Sequence, residues 1–125
     1  MTAMTMRQIR EALGHATPGV PDAFVQPTEY QVSILPEDDI NRSVYTITVQ
    51  YRGDNTWAVT RHGSCLGADG EWEFGIKEYD RGEDWLKAHR FDLTTALRLA
   101  QKAAPHIVVN GRTALDAYHR THPAA

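Results

Sequence analysis

Residues 44–51 alternate without a break: Tyr45, Ile47, Val49 and Tyr51 fall on one side, and Thr46, Thr48 and Gln50 on the other. A strict period of two marks a strand with one face buried and one face wet. The same period recurs in residues 29–35 (Tyr30, Val32, Ile34), 56–62 (Trp57, Val59) and 71–76 (Trp72, Phe74, Ile76). Cys65-Leu66 reads as a continuation of the third strand past a bulge at Gly63-Ser64. The polar stretch 36–42 and the Gly-bearing stretches 52–55 and 67–70 are turns by composition. Sequential strands joined so briefly predict an antiparallel meander.

The period then changes. Leu93, Ala96, Leu97, Ala100 and Ala104 sit at helical spacing, with Asp92 as N-cap and Pro105 as the stop. This predicts a helix over 93–104 that covers the Tyr45/Ile47/Val49, Trp57/Val59 and Trp72/Phe74 face of the sheet. A short helix is expected over 5–13, with Thr5 and Gln8 at capping-box spacing and Gly14 ending it. Residues 83–87 have the pattern of a helical turn tethered by Trp85 and Leu86. Ile107-Val108-Val109 runs into Asn110-Gly111, a pair suited to a tight turn with positive φ. Thr113 and Asp116 cap a last helix over 114–119, and 122–125 form a frayed tail. Residues 16–27 contain Pro18, Pro21 and Pro27 and predict an irregular connector, apolar enough at Val20, Phe24 and Val25 to lie on the domain. The fold class expected is a single α+β domain over 1–125, an antiparallel sheet of four to five strands with helices on one face. Its parts are a helix and Pro-rich connector (1–27), a sheet (28–77) and a helical remainder (78–125).

Composition narrows the picture. The chain has 125 residues, 42% hydrophobic and 23% charged, which suits one folded domain and excludes disorder of the whole. Sixteen acidic residues outnumber thirteen Lys and Arg, which argues against a dedicated nucleic-acid binder, whose affinity draws on a positive field. Cys65 is the single cysteine, so no intrachain disulfide forms, as suits a reducing cytoplasm. No stretch is apolar enough to span a bilayer, and the first ten residues lack a signal-peptide core. A cytoplasmic protein without a membrane partner is expected.

Candidate chemistry is sparse. His62 and Cys65 invite a base-and-thiol pairing, against which Cys65 is a small buried residue beside a turn. Asp116, His119 and His122 recur at three-residue spacing, as zinc ligands on a helix do, against which they are the polar face of a terminal helix. Glu71 and Glu73 share a strand face about 7 Å apart, a carboxylate pair suited to glycoside hydrolysis or to docking on a basic protein; the plainer account is a solvent-facing surface. Arg81, Lys87, His89, Arg90 and Arg98, with Tyr79 and Trp85, form the best basic-aromatic cluster. Interleaved acids weaken its field for nucleic acid and favour a protein interface, while Trp85 packing beneath its loop is equally natural. No phosphate loop, EF-hand, HExxH or CxxC motif is present, and no cofactor is implied.

The runs 57–63 (Trp-Ala-Val-Thr-Arg-His-Gly), 69–74 (Asp-Gly-Glu-Trp-Glu-Phe), 89–92 (His-Arg-Phe-Asp), Ala96 to Ala100, Ala104-Pro105 and Val109-Asn110-Gly111 resemble small uncharacterised proteins of actinobacteria and their phages. The resemblance covers residues 44–116, leaves the first 40 outside, and implies a high-GC source and no catalytic residue. The order helix, strands, helix also resembles double-stranded-RNA-binding domains, but the basic N-terminus that their second helix needs is missing. The function expected is therefore a non-enzymatic protein-interaction module, an adaptor, inhibitor or phage accessory protein with an unidentified protein partner. Its candidate partner-binding residues are Glu71, Glu73, Tyr79, Arg81, Trp85 and Arg90. The alternatives are a nucleic-acid-associated protein using the region Arg81 to Arg98, and a small hydrolase or metal protein. An open edge strand would also permit a homodimer by sheet extension.

Overall fold

The computed structural model describes residues 5–12, 19–74 and 82–123. Five strands form one sheet in sequence order: β1 (Glu29–Val32), β2 (Ile47–Tyr51), β3 (Trp57–Arg61), β4 (Ser64–Leu66) and β5 (Trp72–Phe74). Every neighbouring pair is antiparallel. Among the described residues there are four α-helices: α1 (Met6–Ala12), α2 (Glu83–His89), α3 (Leu93–Ala103) and α4 (Ala114–Thr121). A small hairpin of β6 (Val108–Val109) and β7 (Arg112–Thr113) links α3 to α4. This is the expected α+β meander.

The alternation seen in sequence sets the core. Ile47, Val49 and Val59 are wholly buried on one face of the sheet. Ala96, Ala100 and Ala104 of the α3 segment meet them, also wholly or almost wholly buried. Alanines at these positions let the helix axis come close to the sheet while Leu93 and Leu97 fill the flanks. Asp92 caps α3 by accepting from the Thr95 backbone N–H at 2.7 Å. Thr113 and Asp116 form a complete capping box on α4. Thr5 and Gln8 do the same on α1, each side chain accepting from the other's backbone N–H. Asn110 and Gly111 turn the β6–β7 hairpin with φ of 51° and 77°.

Several expectations are corrected. Residues 43–45 are a 3-10 turn rather than the start of a strand, so β2 begins at Ile47. The strand expected over 29–35 ends at Val32; Leu35, beyond it, turns inward and is 1% exposed. The bulge expected at Gly63-Ser64 is not formed, and Ser64 already belongs to β4. Arg61 pairs with Ser64, and His62 and Gly63 between them both have positive φ, so they form a two-residue reversal whose twist suits a hairpin. Phe74 was expected in the core and is 77% exposed, because β5 is an edge strand running past the end of α3's cover. The connector does not lie on the domain: Val20, Phe24 and Val25 are 60%, 95% and 91% exposed. The final helix runs on to Thr121, and α2 to His89. Ile76 and Gly14 lie outside the described residues.

Past the Thr60–Cys65 pair, where β3 stops pairing with β4, Trp57 exchanges two backbone hydrogen bonds with Phe91 instead. That bridge pins the α2–α3 junction to the sheet and fixes where α3 starts.

Candidate binding cleft

The sheet face away from α3 is polar. Gln31, Thr48, Thr60, Cys65 and Glu73 form one cross-strand row by register. The Thr60 hydroxyl donates to the Thr48 carbonyl at 3.2 Å. Beside this floor the 33–46 loop rises as a wall. It is rigidified from within: the Ser33 hydroxyl accepts from Leu35 N–H, Asp39 accepts from Asn41 N–H, and Thr46 donates to the Arg42 carbonyl. Buried Leu35 anchors the loop from below. Floor and wall enclose an open cleft of about 630 Å³.

Three arginines line it from three different segments: Arg42 on the wall, Arg52 after β2 and Arg61 at the end of β3. Arg42 donates to the Leu35 carbonyl at 2.5 Å, Arg52 to the Gln50 side chain at 3.0 Å, and Arg61 to the Val44 carbonyl at 2.8 Å. Among the described residues no carboxylate stands within ion-pair distance of any of the three. The Nε of Arg61 is buried and has no hydrogen-bond partner among the described residues. Burial pulls the Arg61 guanidinium below its ordinary pKa, with Tyr45 opposing. Glu37 and Asp39 also line the cleft, as does exposed Ile40. Apart from His62, no lining side chain is aromatic.

His62 and Cys65 share this cleft. His62 is exposed on the hairpin tip, Cys65 is 4% exposed in the floor, and no hydrogen bond joins them. The pairing a thiol nucleophile needs is therefore not made. Asp116, His119 and His122 are not gathered either. The Asp116 carboxylate accepts from Thr113 N–H in the α4 cap, and His122 stacks on Tyr118 at 4.4 Å. Among the described residues no group of three His, Cys, Asp or Glu is placed to hold a metal ion.

The residues singled out for partner binding have mixed fates. Tyr79 and Arg81 lie outside the described residues. Glu71 is exposed just before β5, so it does not share a strand with Glu73. Glu73 turns to α2, accepting from Trp85 Nε1 at 2.5 Å and facing His89 Nε2 at 3.6 Å. His89 is buried, donates from Nδ1 to the Trp85 carbonyl at 2.7 Å, and stacks on the Trp85 ring with centroids 4.0 Å apart. The Arg90 guanidinium lies over the same indole at 5.5 Å. Glu73, Trp85, His89 and Arg90 thus form one knot that holds α2 to β5.

The arginine trio was missed because its members are far apart in sequence. The usable signal was the meander itself: once neighbouring strands pair, Thr48, Gln50 and Thr60 must share one surface, with Arg52 on the same side, whereas Arg61 falls in step with Trp57 and Val59 and reaches the Val44 carbonyl. Compared with protein-family models, curated proteins and solved structures, the chain matches none.

Proposed function

We propose that the protein is a non-enzymatic protein-interaction module that receives an acidic segment of its partner in the cleft on the outer sheet face. One observation carries this: Arg42, Arg52 and Arg61 all line one cleft and, among the described residues, none has a carboxylate within ion-pair distance, in a chain of net charge −3. Guanidinium forks match carboxylates in planar, two-bond geometry. A partner carboxylate at Arg61 would also give its orphan Nε an acceptor. Ile40 on the rim supplies apolar contact of the kind a peptide offers. His62 is the single aromatic ring in the lining, less than the run of stacking platforms that single-stranded nucleic acid uses. The resemblance to actinobacterial and phage proteins makes an actinobacterial cytoplasm the proposed setting.

The test is fluorescence anisotropy with a labelled Asp/Glu-rich peptide and an oligonucleotide of equal charge. Arg52→Glu is the informative variant, since Arg52 is exposed and its side chain, among the described residues, bonds only to the Gln50 side chain. We expect peptide binding that Arg52→Glu weakens by about tenfold or more, and weaker binding of the oligonucleotide. Tighter, steeply salt-dependent oligonucleotide binding would reject the proposal in favour of a nucleic-acid partner.

A further inference from the structure

We infer that the arm over residues 19–28 docks into a groove on a second copy of this chain, so that the protein self-associates by arm exchange. The arm carries three exposed large apolar side chains, and Phe24 is the least covered such side chain among the described residues. Phe24 and Val25 are 95% and 91% exposed, and Val20 is 60% exposed. Isolated exposed apolar residues are ordinary, but three within six positions of an extended segment mark a contact surface. Pro21 and Pro27 hold φ fixed on either side, so the arm loses little conformational freedom when it docks.

The same chain carries a receptor of matching character. A groove of about 500 Å³ lies between the β4–β5 turn and α3, with Leu66, Trp72, Leu99 and Ala103 as an apolar floor. Lys102 and His106 stand on its rim. Asp22, two residues before Phe24, gives the arm the opposite charge. Asp69 also lines the groove, and its Oδ1 is engaged by the Glu71 backbone N–H at 3.0 Å. An apolar pair following an acid fits an apolar floor with a basic rim. Phe24 stands clear of its own domain, so a second copy supplies the groove, and exchange in both directions makes the contact twice in a closed dimer. This contact is independent of the arginine cleft on the other sheet face.

Sedimentation equilibrium of the full chain tests it. We expect a concentration-dependent dimer whose dissociation constant rises about tenfold or more in Phe24→Ser. Lys102→Glu should weaken the dimer, and Asp22→Lys added to it should restore binding. All three residues are exposed, so the monomer's melting temperature should stay constant and serve as the folding control. A single monomeric species at every concentration overturns the inference. So does a dimer indifferent to Phe24→Ser, or one that loses affinity with Phe24→Ser yet ignores the charge changes at 22 and 102.

Discussion

Glu73 shows how one side chain can be diverted from the surface role its sequence position advertises. Its carboxylate is partly exposed, yet both oxygens face α2, one toward Trp85 and one toward His89. Removing it takes one acceptor from the Trp85 indole N–H. Glu73→Ala should therefore cost about 1 kcal/mol, read as a lower urea midpoint, whereas Glu71→Ala should cost almost nothing. Gly67 is the neighbouring test of fit. A Cβ there would lie 2.8 Å from Asp69 Oδ1 and 3.1 Å from His89 Nε2. Gly67→Ala should destabilise by about 1–3 kcal/mol and loosen α2, visible as faster amide exchange in residues 83–89. In the core, Ile47 is wholly buried beneath α3. Ile47→Ala should cost about 3 kcal/mol through lost burial plus the cavity left behind, measured by the same denaturant titration.

The helices depend on their ends. The Asp92 carboxyl is held below the usual carboxylate range, first by accepting the Thr95 backbone N–H, then by its side-chain bond to Thr95, with Arg98 adding to this and desolvation opposing. A carboxyl whose pKa is lower folded than unfolded lends its stability in full above the unfolded value. That contribution disappears as pH falls through the folded value. The stability gap between the native chain and Asp92→Asn should thus be widest at neutral pH and close on acidification below the carboxylate range, as followed by urea unfolding at each pH. Thr113→Ala removes half of a complete capping box and should cost about 1 kcal/mol in the same assay. Caps, turns and strand faces were legible because each depends on residues within a few positions of one another: Asp92 with Thr95, Thr113 with Asp116, Asn110 with Gly111. What escaped depends on distant partners. Nothing near Phe74 in sequence says that α3 stops short of β5, and nothing near Val25 says that the connector stands off the domain. Arg42, Arg52 and Arg61 form a set only after three strands have paired. The hairpin at His62-Gly63 was misjudged because a bulge and a two-residue reversal draw on the same small and polar residues.

Across the whole molecule the two sheet faces have divided their tasks. One is closed by α3 and supplies the stability. The other, floored by threonine and glutamine and walled by the 33–46 loop, carries the open cleft, with α2 held to Glu73 at its β5 edge. Stability and binding can then be altered separately. Arg52→Glu should leave the melting temperature within about 1–2 °C of the parent while it weakens the acidic peptide, since exposed substitutions away from caps and the core change stability little. The order of the strands has a temporal consequence as well. Each strand pairs with its neighbour in sequence, so the sheet-forming closures after β2 span only short turns, and the 33–46 loop is the one long connection within the sheet. The distant closures come from elsewhere: the Tyr45 hydroxyl reaching the Arg112 carbonyl, 67 residues away, and the Trp57–Phe91 bridge. A chain wired in this way should zip its meander early and seat the β6–β7–α4 unit last. Weakening that unit at Thr113 should therefore quicken unfolding while leaving the refolding rate almost untouched.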